Sequence, residues 1–331
     1  MNEAVTIDDT LLEVDDLSVQ FHLSRGSVDA VNHLSFKVRR GSAFGIVGES
    51  GSGKSVTALT MMGLLASPPG RVESGRILYK GEDLLRKTKD EMREYRGKNI
   101  SMVYQDPMTA LNPVLRIGFQ IAETLMVHEG LSRSEAEQRA VDLMRATGIP
   151  EPEKRARGYP HQFSGGMRQR VIIAMALANS PDLLIADEPT TALDVITQAQ
   201  ILALLKSLQK ERNMTVILIT HDLGIVAEFC DEVLVMYAGH GMEIGTTRDI
   251  FLNPQHPYTK GLLNSITRVE KNVGRLQSIP GEIPDLIHPP VGCRFNPRCP
   301  YVFEKCRVQE PPAFPTATGG MSKCWLLETT R

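Results

Sequence analysis

One octapeptide constrains this chain more than any other stretch: Gly48-Glu49-Ser50-Gly51-Ser52-Gly53-Lys54-Ser55. The apolar run Ala43 to Val47 precedes it and reads as a buried strand. Val56 to Leu65 follows, with helical character and no internal breaker. The spacing G-x-x-x-x-G-K-[ST] between a strand and a helix is the phosphate-binding loop pattern. Glycines let the backbone bend so that successive N–H groups converge on phosphate oxygens. The helix N-terminus adds its partial positive charge at the same place. Gly48, Ser50, Gly51 and Gly53 are therefore the expected backbone cradle, and Lys54 the cation that reaches the β- and γ-phosphates. The Ser55 hydroxyl is the expected Mg²⁺ ligand. A glycine-rich turn with a chance lysine is the competing reading, and the strand–loop–helix context argues against it.

A chain of 331 residues can bury a sizeable core and should hold about two domains. Its 42% hydrophobic and 23% charged fractions are those of an ordinary globular protein. A net charge of −2 gives no global argument for a nucleic-acid or membrane-surface electrostatic footprint, and no nucleic-acid partner is expected. No apolar run approaches the ~20 residues that span a bilayer. Residues 1–10 read as a disordered lead: the acidic start, Met1 to Asp9, has no apolar signal core, which argues against secretion. A nucleotide site points to the cytoplasm. Of five cysteines, four fall in the last forty residues.

Leu11 to Phe21 and Ala30 to Val38 read as two strands around the turn Arg25-Gly26-Ser27, an antiparallel sheet beside the nucleotide core. Phe21, at the end of the first, is a candidate for stacking on the adenine ring; edge-strand packing is the equal alternative. Gly75 to Tyr79 and Ile100 to Tyr104 read as strands around a charged, helix-like segment, Asp83 to Arg96. Gln105 follows the second, placed to orient a water or ligate the metal. Leu115 to Gly148 is helical in character, with a capping-box pattern at Ser132 and Glu135. Ser164-Gly165-Gly166 then opens an apolar helix, Val171 to Asn179, and a helix start of this kind is a second potential anion site.

Leu183 to Glu188 is an apolar strand ending in two carboxylates, the metal strand expected beside a phosphate loop. Asp187 is the Mg²⁺ partner in that reading, and Glu188 is placed to polarise the attacking water. Val216 to Thr220 is another buried strand and ends at His221, on the edge where α/β sheets bind ligands. Glu232 to Tyr237 and Met242 to Ile244 complete the sheet.

The phosphate loop, Gln105, Ser164-Gly165-Gly166, Asp187-Glu188, Asp194 and His221 stand in one order. Together they resemble the nucleotide-binding subunit of ABC transporters, across about residues 11 to 250. The resemblance implies an α/β fold: a RecA-like core with an antiparallel β-subdomain and a helical subdomain at about 106–180. It also implies that two subunits meet head to tail, each ATP lying between one phosphate loop and the other subunit's signature, with Asp194 near the nucleotide. The signature departs from the general pattern at Phe163 and Met167 but retains Ser164 and both glycines.

Residues 251–331 narrow the family. Asn253 to Leu263, Ile279 to Pro284 and Gly292 to Pro300 look like the C-terminal extension of oligopeptide and dipeptide importer ATPases. That resemblance implies two integral membrane permease subunits, a second ABC ATPase subunit and an extracytoplasmic solute-binding protein as partners. It places the chain peripherally, at the cytoplasmic face of the inner membrane. Nickel or another small solute is the alternative cargo. A soluble, non-transport ABC ATPase would carry two cassettes or a long coiled coil, and neither is present.

Cys293, Cys299, Cys306 and Cys324 follow C-x₅-C-x₆-C-x₁₇-C, without the C-x₂-C knuckles usual for zinc. Four thiolates suit a [4Fe–4S] cluster or a structural Zn²⁺, and the importer resemblance tilts the expectation toward iron–sulfur; a set of unligated cysteines is the competing reading. A metal clip would order a segment too rich in proline for a large apolar core.

Overall fold

The computed structural model describes residues 9–104, 110–191, 193–265 and 279–330. In chain order its strands are β1 (Thr10–Leu23), β2 (Gly26–Arg39), β3 (Ala43–Val47), β4 (Gly70–Tyr79), β5 (Glu82–Asp83) and β6 (Ile100–Val103). They continue with β7 (Leu183–Asp187), β8 (Thr215–Thr220), β9 (Glu232–Tyr237), β10 (His240–Thr246), β11 (Phe314–Pro315) and β12 (Met321–Ser322). Two compact units form: Met1–Val38 with Ala43–Leu85 and Ile219–Arg331, and Arg39–Ser42 with Arg86–Leu218.

In the first unit, β2-β1-β4-β5 make one sheet. β1 and β4 pair antiparallel from Leu12↔Tyr79 to Phe21↔Gly70, with a register shift at Asp15 to Ser18. β4 starts at Gly70, ahead of the Gly75 limit expected from the sequence. Its first half carries polar, mostly exposed residues, so no apolar alternation marks it. The second sheet of this unit runs β11-β12-β10-β9-β3. All five residues of β3 are buried, as a strand covered on both faces requires. It pairs in parallel with β9, from Phe44↔Glu232 to Val47↔Val235.

The C-terminal segment is tied to this sheet by backbone pairing. β12 adds antiparallel to β10 (Glu243↔Ser322, Ile244↔Met321), and β11 adds to β12. Behind β9, the rings of Tyr237, Tyr258 and Phe295 pack with centroids 4.6–5.3 Å apart. Tyr258 stands near the start of the helix Pro257–Asn264, whose N-cap His256 accepts from the Tyr258 N–H through Nδ1. The Trp325 indole donates to the Gln309 carbonyl, and the Lys305 ammonium lies 3.7 Å from its ring centroid.

In the second unit the strand order is β8-β7-β6, and β6 and β7 are parallel from Ile100↔Leu183 to Val103↔Ala186. The charged segment after β5 is a short helix, Lys89–Tyr95, because Thr88 and Glu91 form a capping box that starts it there. The helices Ile117–Glu129 and Arg133–Ala146 are separated by Gly130, which caps the first in the left-handed region. Ser132 and Glu135 form the capping box of the second: the Ser132 N–H donates to the Glu135 carboxylate, and the Glu135 N–H donates to Ser132 Oγ. The helices Gly165–Ala176 and Val195–Arg212 follow. Among the described residues no helix is long and apolar enough to cross a membrane.

Candidate functional site

β3 delivers the chain to the loop at Val47, and the loop's glycines are dictated by what surrounds them. Gly48 has φ +154°, and a Cβ there would sit 2.1 Å from the Met236 carbonyl oxygen. Gly53 has φ +101°, and its Cβ would sit 2.3 Å from the Ala30 carbonyl oxygen. Any side chain at either position would collide with backbone. Gly51, by contrast, has nothing within 4 Å of a Cβ, and Ser50, Gly51 and Ser55 are exposed. The loop therefore grips the sheet on one side and opens to solvent on the other.

Lys54 is 6% exposed, and its ammonium donates to the carbonyls of Gly48 (2.8 Å) and Glu49 (2.9 Å). The helix Lys54–Met61 has no side-chain N-cap bond and no acidic residue in its first turn. An uncapped helix start without a first-turn carboxylate presents its partial positive charge to a bound anion. A buried ammonium, a glycine cradle open on one side and an uncapped helix start fit a phosphate group. In the same unit, Phe21 is half-buried opposite Gly70. His221 is exposed, one residue before Asp222, the N-cap of the helix Leu223–Phe229.

Glu49 is held by two residues of the C-terminal segment, and sequence reasoning gave it no chemical role. Its N–H donates to the Tyr258 hydroxyl at 3.0 Å. Its carboxylate accepts two bonds from the Arg298 guanidinium, Nη1 to Oε2 at 2.7 Å and Nη2 to Oε1 at 3.2 Å. Arg298 also donates to the hydroxyl of Tyr237 at 3.3 Å and to the Pro280 carbonyl at 3.0 Å. Burial raises the pKa of the Tyr258 phenol, so it stays a neutral hydroxyl. The only sequence signal was an arginine between a proline and a cysteine.

In the second unit, β7 buries its last residue, Asp187, and Glu188 follows it, turning the chain away with φ +47°. A left-handed glutamate costs about 1–2 kcal/mol and redirects the chain at this carboxylate. Glu188 Oε2 accepts from the Thr191 hydroxyl at 2.8 Å. Ser164 N-caps the helix Gly165–Ala176 by accepting from the Met167 N–H at 3.3 Å, and Ser164 and Gly165 are exposed. Gly166 lies against the start of the next helix: a Cβ there would be 2.5 Å from Thr197 Cγ2. Thr197 is held by Asp194, which accepts from its N–H at 2.9 Å and its hydroxyl at 2.8 Å. Those bonds, the backbone one first, lower the pKa of Asp194. Within this unit the structure thus brings Asp194 beside Ser164-Gly165-Gly166. Gln105 lies outside the described residues.

Two family profiles match. "ABC transporter" covers residues 31–191, and "Oligopeptide/dipeptide transporter, C-terminal region" covers residues 242–306. The dipeptide transport ATP-binding protein DppD of Bacillus subtilis is 52% identical over 96% of this chain and 94% of its own length. The oligopeptide transport ATP-binding protein OppD of Salmonella typhimurium is 51% identical over 95% of this chain and 93% of its own. The chain belongs to the family of oligopeptide/dipeptide ABC transporter ATP-binding subunits. Among solved structures, the dimeric ATP-binding cassette MJ0796 bound to ADP and phosphate is similar, with TM-score 0.64 and 29% identity. That match covers 72% of this chain and 99% of that one. The cbiO1 protein of Clostridium perfringens, part of the cbiONQ transporter complex, matches with TM-score 0.63 and 31% identity over 74% and 92%. The ABC ATPase fold, mixed α/β, is therefore shown.

For this ABC subunit the metal expectation at the C-terminus is overturned. Among the described residues, which include Cys293, Cys299, Cys306 and Cys324, no group of three or more His, Cys, Asp or Glu is arranged to hold a metal ion. Neither the [4Fe–4S] cluster nor Zn²⁺ has a site. The physical reason lies in the surroundings of these thiols. They line a small apolar cavity with Pro257, Phe295 and Trp325. Burial pushes Cys293 up to about 12 and Cys324 up to about 11, and raises Cys299 as well. Buried among these apolar groups, the thiols are held in the neutral form. None of these four cysteines forms a disulfide. The proline-rich segment is ordered instead by the β10–β12 pairing, the aromatic cluster and the Arg298–Glu49 contact.

Proposed function

We propose that this chain is the ATP-hydrolysing subunit of an importer for di- and oligopeptides. The supporting observation is the phosphate loop, with Lys54 buried under its glycine cradle, in a chain about half identical to dipeptide and oligopeptide transport ATP-binding proteins along nearly its whole length. Residues 11–250 would be the ATPase domain, with a RecA-like core, an antiparallel β-subdomain and a helical subdomain at about 106–180. Residues 251–331 would be the C-terminal extension of the peptide-importer type.

Phosphoryl transfer needs positioning and charge neutralisation more than covalent chemistry. In this reading the loop N–H groups of residues 48–55 bind the phosphates, and the Lys54 ammonium leaves the Gly48 and Glu49 carbonyls to take the β- and γ-oxygens. The Ser55 hydroxyl and the Asp187 carboxylate, hard oxygen donors of the kind Mg²⁺ prefers, would hold the ion, and Gln105 would join them or orient the water. Bound there, the ion would neutralise charge on the phosphates. Glu188 accepts the proton of the attacking water, and His221 stands toward the γ-phosphate. Phe21 stacks on the adenine.

Ser164, Gly165 and Gly166, at an exposed helix start without an acidic first turn, would bind the nucleotide of a second ABC ATPase subunit, together with Asp194. The solved relative MJ0796 is dimeric, which supports that arrangement. ATP binding would draw the two subunits together and hydrolysis would release them, driving two membrane permease subunits at the cytoplasmic face of the inner membrane. An extracytoplasmic solute-binding protein would deliver the peptide. The test is co-purification with two integral membrane proteins, then ATP turnover in proteoliposomes with the binding protein present. Stimulation by di- or oligopeptides and not by Ni²⁺ is expected; stimulation by Ni²⁺ alone would overturn the peptide assignment.

A further inference from the structure

The phosphate loop is held from outside by residues 200 and more positions away in sequence. Lys54 rests on the carbonyl of Glu49, the Glu49 N–H rests on Tyr258, and the Glu49 carboxylate rests on Arg298. Both holding side chains come from the C-terminal segment, and both are themselves fixed. Tyr258 is fully buried between Tyr237 and Phe295. The Arg298 side chain is 6% exposed, lies over the Tyr237 ring at 5.7 Å and donates to the Pro280 carbonyl. A two-pronged guanidinium–carboxylate pair of this kind fixes orientation as well as charge.

The position of the pair raises a chemical problem that the arginine solves. Glu49 is the second residue of a loop whose ligand is a polyanion, and a carboxylate there repels what the loop must bind. Fully pairing it with Arg298 removes the local negative charge, while the Tyr258 hydroxyl keeps the Glu49 peptide, and with it the resting place of Lys54, in one orientation.

We propose that the C-terminal segment is a positioning strap on the phosphate loop, in which Arg298 neutralises and Tyr258 orients Glu49 so that the loop captures ATP. Arg298 and Tyr258 are positioning residues, acting through Glu49. The consequence is that nucleotide affinity is set partly by the segment beyond residue 250, so a partner that shifted this segment would change ATP capture without touching the loop.

The inference rests on the reading of residues 48–55 as the ATP site, and the experiment separates the two. MgATP binding to the full-length chain is measured by calorimetric titration for wild type, Arg298→Ala, Glu49→Gln, the Arg298→Ala/Glu49→Gln double variant, Arg298→Lys and Tyr258→Phe. Arg298→Ala should weaken binding roughly tenfold, within the usual range of coupling between sites. Glu49→Gln placed in that background should recover binding to within about threefold of wild type, because the unpaired charge is gone. Arg298→Lys should recover part. The Arg298→Ala defect should shrink between about 0.1 M and 0.5 M KCl as screening grows. A purely structural role would give neither the rescue nor the salt dependence.

Should Arg298→Ala fail to fold, Tyr258→Phe decides alone. It keeps the packing, removes the acceptor for the Glu49 N–H, and should weaken binding several-fold in a chain that still unfolds cooperatively, a few degrees below wild type. Wild-type protein that does not bind MgATP would overturn the ATP-site reading. Wild type that binds, with Arg298→Ala or Tyr258→Phe binding equally well, or with no rescue by Glu49→Gln, would overturn the strap alone.

Discussion

Acid should loosen the C-terminal segment through one buried imidazole. His256 is 1% exposed at the N-cap of the helix Pro257–Asn264. Its Nδ1 accepts from the Tyr258 N–H at 3.0 Å, so the ring is neutral with its proton on Nε2. Nε2 makes only a marginal contact with the Lys323 backbone and no hydrogen bond of normal geometry. Burial lowers the pKa to about 3, and Lys260 pushes in the same direction. A base whose folded pKa lies below its unfolded value of about 6.5 contributes no destabilisation above that value. As pH falls, the unfolded chain takes up a proton that the folded chain refuses, so stability falls by about 1.4 kcal/mol per pH unit. Between pH 7.5 and 5.0 the loss from this one group is therefore about 2 kcal/mol. His240, also lowered chiefly by burial, acts with the same sign. The single tryptophan, Trp325, lines the same cavity as His256, and its fluorescence follows local unfolding of this region in urea. His256→Asn keeps an acceptor for the Tyr258 N–H and removes the titration. It should cost about 1–2 kcal/mol at pH 7.5 for lost packing, yet show about 2 kcal/mol less acid loss than wild type. Parallel losses in the two proteins, within about 0.5 kcal/mol, would refute the buried-neutral assignment.

Three further outcomes follow from the geometry. Gly53→Ala should cost at least about 2 kcal/mol and abolish ATP retention, because its Cβ meets the Ala30 carbonyl, whereas Gly51→Ala should cost about 1–2 kcal/mol for its positive φ alone; urea titration and nucleotide binding compare them, and equal costs would contradict the packing argument. Ser164→Ala removes an N-cap acceptor and should lower stability by about 1 kcal/mol, while Ser164→Thr should lose much less; thermal denaturation distinguishes them. Cys293, pushed up to about 12, holds about one part in ten thousand of thiolate at pH 8 and should resist iodoacetamide in the native chain while reacting readily in urea. Mass spectrometry of alkylated peptides reads the ratio, and equal native and denatured rates would show that burial does not protect it.

What was legible in the sequence was what short-range patterning encodes. β3, β7, β8 and β9 are continuous apolar runs, and each lies within one or two residues of its expected limits because burial on both faces leaves no other composition. The capping box at Ser132 and Glu135 was legible because both partners lie within one turn. The first half of β4 was not, since its exposed polar residues carry no alternation. Nor could any local rule foresee that Glu188, just after its strand, takes the left-handed region. The Arg298–Glu49 pair joins residues 249 positions apart, and no periodicity links them. The cysteines failed in the opposite way. Their number and clustering suggested a metal, but spacing carries neither distance nor protonation state, and the cavity that receives them favours neutral thiols.

The central claim, that this chain turns over ATP with Glu188 as the base, meets its most direct test in the assembled importer. Steady-state phosphate release and the nucleotide retained after rapid filtration are measured for wild type and Glu188→Gln with MgATP. Turnover should fall by about 10² or more, the usual contribution of a general base, while the variant retains at least as much ATP as wild type. Wild-type turnover in Glu188→Gln, or wild-type protein that releases no phosphate from MgATP, would contradict it.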